Sequence, residues 1–307
     1  MASDQFVKKT SLIDNKILVT GASGVSGSAI VSALKDIGCT DVFTPTHKDL
    51  DLGANRGCIV DYFKDNQIQY VFHCAGIVGG HASNYTATVS DIMTEDIKIN
   101  LNTINAAATT GVKKLIAIGG QWNYNDGEQI KEIDYDVSFA RGGSGHDVSK
   151  YVLIALLKAM KVQGDLDSTT LMIPLLYNSN VCDNVNDRHP FLHIANSIYK
   201  ASKNNLDVVD LKSTSKALRQ MIHARDLASA AIEAIDINSL LLNVAHDKVY
   251  SMEEIAKHLA RHLGFTGQIN WANTSKNVRS QTMDCALLRS TGWKPIVELP
   301  DMIKEIK

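Results

Sequence analysis

"VTGASGVSGSAI", residues 19–30, is the stretch on which the fold turns. Lys16-Ile17-Leu18-Val19-Thr20 leads into it and reads as a short buried strand. "SGSAIVSALKDIG", residues 26–38, leads out of it with apolar positions at helical spacing and stops at Gly38. Between strand and helix stand Gly21, Gly24 and Gly27. A glycine turn in this position lets the chain reverse tightly, lets backbone approach a pyrophosphate and lets the helix pack close to the strand. The unpaired N–H groups of the helix start then face the anion. Gly21, Ser23, Gly24, Val25 and Gly27 are therefore the expected dinucleotide loop. The plainer alternative is a glycine-rich turn with no ligand.

Working outward, strand and helix alternate over about the first 175 residues. "DVFTPT" (41–46), "IQYVFHCAG" (68–76), "VKKLIAIGG" (112–120) and "STTLMIPLL" (168–176) read as further strands. "RGCIVDYFKDNQ" (56–67), "DIMTEDIKINLNTINAAATTG" (91–111) and "SKYVLIALLKAMKV" (149–162) read as helices. Short apolar strands bounded by glycine imply a parallel sheet buried on both faces, in a doubly wound α/β fold. Past Pro174 the alternation stops and a polar loop, "NSNVCDNVNDRHP" (178–190), opens a mixed α/β segment. The expected division is a dinucleotide-binding domain at 1–173 plus about 218–245. A smaller substrate domain takes 174–217 and 246–307, over the carboxyl ends of the strands where such sheets bind ligands.

Composition narrows the function. The chain has 307 residues, 45% apolar and 21% charged, with net charge −2. That balance gives no electrostatic case for nucleic acid or an anionic membrane. Lys113-Lys114 reads as a solvated loop end. The five cysteines, Cys39, Cys58, Cys74, Cys182 and Cys285, show no CxxC or CxxH spacing, so no disulfide framework or zinc site is expected. The first residues lack the apolar core of a signal peptide, and no apolar run reaches the length of a spanning helix. A reducing, cytoplasmic setting is the expectation. After the second strand, Lys48 in "TPTHKDLDL" stands where an acid usually holds a free ribose hydroxyl. Lys48 suits a 2′-phosphate, so NADP is expected over NAD. Its bland reading is a surface lysine.

The chain resembles the extended short-chain dehydrogenase/reductases, and within them the GDP-L-fucose synthase branch. "HKDLDL" (47–52), "HCAGIVGG" (73–80), "KKLIAIGG" (113–120), "MIPLLY" (172–177), "ALRQMIHARDLASAAIEAI" (217–235) and "LLRSTGWKP" (287–295) carry the resemblance. It implies a Rossmann-like fold and an NADP-dependent epimerase/reductase acting on a nucleotide-linked 4-keto-6-deoxy sugar. It further implies that Ala75 and Gly76 line the cofactor, that Asn100 matches a helix asparagine, and that Lys150 holds the nicotinamide ribose. His189 would act as acid/base during epimerisation. Arg219 and Arg279 would bind the diphosphate, which two guanidinium forks suit. Asn178 would lie near the sugar. A homodimer through the helices at 91–110 and 149–163 is the implied assembly, set against burial of those helices on their own sheet.

The resemblance breaks at the chemistry. The catalytic serine position is Gly120, the epimerisation cysteine is Trp122, and the tyrosine of the YxxxK pair is His146 in "GGSGHDVSK" (142–150). Gln121 and Asn123 are candidates to replace the serine's hydrogen bond. His146 has three readings: the acid of a divergent reductase or epimerase, a polar residue in a silent binding site, or a loop histidine. The first is preferred, because the glycine loop, His189 and the arginines persist. The rival is a catalytically silent NADP(H)- or nucleotide-sugar-binding protein that regulates or scaffolds a partner. His189 could instead pack the helix after Pro190, and Trp122 could be core.

Overall fold

The computed structural model describes residues 10–77, 89–124, 129–135, 145–178, 190–212, 214–272 and 281–306. Its centre is a six-stranded parallel sheet. The strands are β1 (Ile17–Thr20), β2 (Val42–Phe43), β3 (Tyr70–His73), β4 (Lys114–Gly120), β6 (Ser168–Ile173) and β10 (Leu241–Asn243), in the order β10-β6-β4-β3-β1-β2. A two-residue strand, β5 (Gln129–Ile130), lies outside this sheet. The order reverses between β1 and β3, where Ile17 pairs with Tyr70 and Thr20 with His73. Open α/β sheets bind ligands at that reversal.

Apolar residues alternate across the sheet because strand side chains alternate. Ile17, Val19, Phe72 and Ile116 join one cluster, with residues of α1 (Val25–Asp36) and α6 (Ala224–Glu233). Leu18, Val71 and Leu115 join the other, beneath α2 (Arg56–Asp65), α3 (Val89–Thr109) and α4 (Gly145–Gln163). β1, β3 and β6 are buried along their whole length, as a sheet covered on both faces requires.

Three expectations need correction. "DVFTPT" pairs only at Val42 and Phe43. "STTLMIPLL" is two strands: β6 ends at Ile173, and β7 (Leu175–Tyr177) leaves for a second sheet. Pro174 lies between them and has no N–H to continue a central ladder. Lys114 is not solvated; it is buried at the start of β4, where its Nζ donates to Asp167 Oδ2 and to the Ile237 carbonyl, both at 2.9 Å.

Beyond Pro174 a separate apolar cluster forms. α5 (Pro190–Lys203) and α7 (Met252–His262) pack there beside β8 (Val208–Leu211) and β12 (Gln268–Trp271). β9 (Leu218–His223) pairs with β7 and with β11 (Val249–Ser251). The last strand, β13 (Thr282–Met283), pairs with β5. Asp226 on α6 is buried and accepts the N–H groups of Ile296 and Val297, while Trp293 Nε1 donates to Ser229 Oγ at 2.8 Å. These bonds fasten the C-terminal segment to the sheet side of the molecule.

Of the three buried imidazoles among the described residues, two end strands of this frame: His73 at the end of β3 and His223 at the end of β9. Burial drives the pKa of each down from 6.5 to about 4, chiefly by penalising the charged ring. The folded state therefore binds fewer protons than the unfolded chain between those values. The stability these two rings contribute is full above pH 6.5, falls as pH drops through the window and levels off below about 4. Urea denaturation at pH 7 and pH 5 should show a lower midpoint at pH 5. Replacing both histidines by glutamine should flatten that dependence.

Candidate active site

The site is built at the carboxyl ends of β1 and β3. Gly21 follows β1 with φ +64°, and a Cβ there would lie 2.7 Å from the Ala75 nitrogen. Gly27 on α1 has even less room, since its Cβ would meet the Gly21 carbonyl oxygen at 2.2 Å. These two glycines are thus required by the close approach of turn, helix and β3. Gly24 is the extended N-cap of α1, no side chain caps the helix, and Ser23 and Gly24 are exposed. The first turn of α1 therefore presents N–H groups uncovered by side chains, as a diphosphate requires. The loop fits the dinucleotide expected of it.

Lys48 is exposed in the turn after β2, where Asp49 accepts from the Thr46 N–H and hydroxyl. Asp51 takes the Gly53 N–H. Gly76 follows β3 directly opposite charged side chains. A Cβ on it would lie 3.0 Å from Asp96 Oδ1 and 3.7 Å from Lys150 Nζ. Ala75, Gly76 and Lys150 are therefore brought together beside the glycine loop. Burial lowers the pKa of the Lys150 ammonium, and the charge of Asp96 opposes that effect.

His146 stands in the first turn of α4, four residues before Lys150. His189 and Arg279 lie outside the described residues, as does Cys182. Asn178 closes the strand that β7 forms and is half-buried. Arg219 lies on β9, with its guanidinium 5.6 Å from the Trp122 ring centroid. Trp122 thus supports an arginine rather than only filling core.

The candidates for the serine's bond fare differently. Asn123 donates its amide to the Asp147 carbonyl at 2.9 Å, which ties the strand-four loop to the first turn of α4. Gln121 is buried, and its Oε1 finds no partner among the described residues. Tyr124 and Tyr177 are core residues: their hydroxyls donate to Asn243 Oδ1 and the Val297 carbonyl.

Sequence reading passed over Asp96, Thr20, His73 and Ser149. The Asn100 amide links His73 to Ser149. Asp96, one helical turn earlier, is the α3 residue beside Lys150. The spacing of Asp96 and Asn100 is the signal that could have found it.

Comparison with known proteins fits this geometry. A model of the NAD dependent epimerase/dehydratase family matches residues 17–243. A putative GDP-L-fucose synthase 2 of Arabidopsis thaliana is 29% identical over 99% of this chain and 93% of its own. The GDP-L-colitose synthase of Yersinia pseudotuberculosis is 25% identical over 94% of this chain and 96% of its own. Among solved structures, a GDP-mannoheptose C4 reductase from Campylobacter jejuni with NADP bound superposes with TM-score 0.83 at 25% identity. It covers 96% of this chain and 97% of its own. With a glycine cradle at the sheet's reversal and a family match over most of its length, this chain belongs to the NAD-dependent epimerase/dehydratase family.

Proposed function

We propose that the chain is an NADP-dependent epimerase/reductase acting on a nucleotide-linked 4-keto-6-deoxy sugar, with GDP as the nucleotide. The observation that carries this reading is the meeting of three features at one end of the sheet: the uncapped glycine turn, Ala75-Gly76 and the Lys150 ammonium. The relatives support it, since their names specify GDP-sugars and the Campylobacter jejuni reductase holds NADP.

In this reading the N–H groups of residues 21–27 would hold the pyrophosphate, and Lys48 would pair with the 2′-phosphate. Lys150 would donate to the ribose hydroxyls beside the nicotinamide, and His146 would give a proton to the sugar oxygen. A neutral imidazole can donate that N–H bond, although it is a weak acid. When bound, the cofactor supplies the hydride. Arg219, steadied on Trp122, would bind the diphosphate together with Arg279. Asn178 would bound the sugar, and His189 would move the proton alpha to the ketone. The two-part division at Pro174 fits this assignment: the sheet side holds the cofactor and the C-terminal layer covers the sugar.

α3 and α4 pack on one another, and Leu101 on α3 is 43% exposed. We propose a homodimer through these helices. Cys39, Cys58, Cys74 and Cys285 are all free thiols, which supports a reducing, cytoplasmic setting. Among the described residues no helix is long and apolar enough to cross a membrane.

Four outcomes are expected. Purified protein should oxidise NADPH in the presence of a GDP-4-keto-6-deoxy sugar, followed at the nicotinamide absorbance. His146→Ala should lower that rate about a hundredfold while leaving NADPH affinity intact. Tight NADPH binding with no turnover of any keto-sugar would replace this reading with a silent binding protein. By isothermal titration, Lys48→Glu should weaken NADPH about tenfold and leave NADH unchanged. Arg219→Ala should raise the KM for the nucleotide sugar more than it lowers kcat.

A further inference from the structure

We propose that Asp96 is the counter-ion that keeps the Lys150 ammonium charged and in place, and that a one-way chain of hydrogen bonds through the core fixes its carboxylate. Asp96 is buried on α3, one side chain away from the glycine-lined end of β3. Its Oδ1 and Lys150 Nζ lie 3.0 and 3.7 Å from the same point over Gly76. The two heads thus border the space over Gly76 that a side chain would otherwise fill.

The chain of bonds has a single direction. The Ala75 N–H donates to Thr20 Oγ1 at 3.1 Å. Thr20 Oγ1 and His73 Nδ1 are 2.8 Å apart, and His73 Nε2 and Asn100 Oδ1 are 2.9 Å apart. Asn100 Oδ1 can only accept, so His73 carries its proton on Nε2 and takes the threonine proton at Nδ1. The Asn100 amide donates to Ser149 Oγ at 3.1 Å, and the Ser149 hydroxyl donates to Asp96 Oδ2. The other carboxylate oxygen accepts the Ile77 N–H at 2.8 Å. Every donor in the series points toward Asp96.

This series orients; it does not conduct. A proton wire needs each member to pass on the proton it receives. The amide of Asn100 and the backbone N–H of Ala75 cannot do so at neutral pH. What the series does is join β1, β3, α3 and α4 through buried polar groups, each satisfied by the next. Ser149 precedes Lys150 directly, so the bond that fixes Asp96 also fixes the helix turn bearing the ammonium.

The groups facing Lys150 are Asp96 from α3 and Cys74 from the end of β3, with His73 deeper on the same strand. Desolvation pushes the pKa of the half-buried Cys74 thiol up to about 12, and the His73 ring is neutral. Asp96 is therefore the resident negative charge beside Lys150 among these groups. Without it the partly buried ammonium would shed its proton more readily.

The test reads lysine charge directly on the full chain with no ligand present. Acetic anhydride labelling across pH, quantified by peptide mass spectrometry, gives a midpoint for Lys150, with exposed Lys257 as internal reference. Asp96→Asn keeps the shape and the acceptor for the Ile77 N–H but removes the charge. The Lys150 midpoint should fall by about one pH unit or more, with Lys257 unmoved. An unchanged Lys150 midpoint in a variant with wild-type circular dichroism overturns the proposal. Asp96→Ser, which also removes the charge, carries the same test should the asparagine variant not fold.

Because the placing of Lys150 against a cofactor rests on the functional reading above, wild-type NADPH titration is run alongside. A shifted midpoint without NADPH binding upholds the counter-ion role of Asp96 and ends the cofactor reading. NADPH binding without a shift does the reverse.

Discussion

The close approach of the β1–α1 turn to the end of β3 is the contact on which the rest of this molecule depends. Gly21 and Gly27 leave no room for side chains between the turn, the helix and Ala75. Because the backbone sits this near, the α1 N-terminus opens at the sheet's reversal rather than into the core. The same contact lets Thr20 reach the Ala75 N–H and so begins the polar series that ends at Asp96. The N-terminus of α1 and the ammonium are thereby placed by one packing constraint.

Around that contact the chain spends buried polarity deliberately. Thr20, His73, Asn100, Ser149 and Asp96 are all buried, and each would be costly alone in an apolar interior. Linked in series they are satisfied, and they specify how α3 and α4 sit against the sheet. Lys114 shows the same logic at the opposite end of β4, where Asp167 and the Ile237 carbonyl compensate its burial. Asn123 extends it by anchoring the α4 start to the strand-four loop.

The chemistry of the site differs from its resemblance in a coherent way. Where that resemblance implies serine, cysteine and tyrosine, this chain has Gly120, Trp122 and His146. Trp122 lies under the Arg219 guanidinium, and Asp96 stands beside Lys150. The serine and cysteine positions hold Gly120 and Trp122, neither a proton-transfer group, while an imidazole takes the tyrosine position and the glycine turn is kept.

The sequence by itself determined the parallel sheet, its helices and the glycine loop. Strand burial, helical periodicity and the glycine spacing are properties of neighbours along the chain, and each is written locally. It also located Lys150 and His146 on one helix, because four residues make one turn. Other features depended on tertiary structure. Pro174 broke a predicted strand by sending Leu175–Tyr177 to another sheet, and Lys114 left solvent because Asp167 met it from β6's approach. Asp96, Thr20, His73 and Ser149 come from four separate elements; the chain records only that Asp96 lies one turn before Asn100, not that the four meet. Only folding brings a carboxylate and an ammonium over Gly76, because Coulomb attraction and hydrogen bonding act through space and not along the chain.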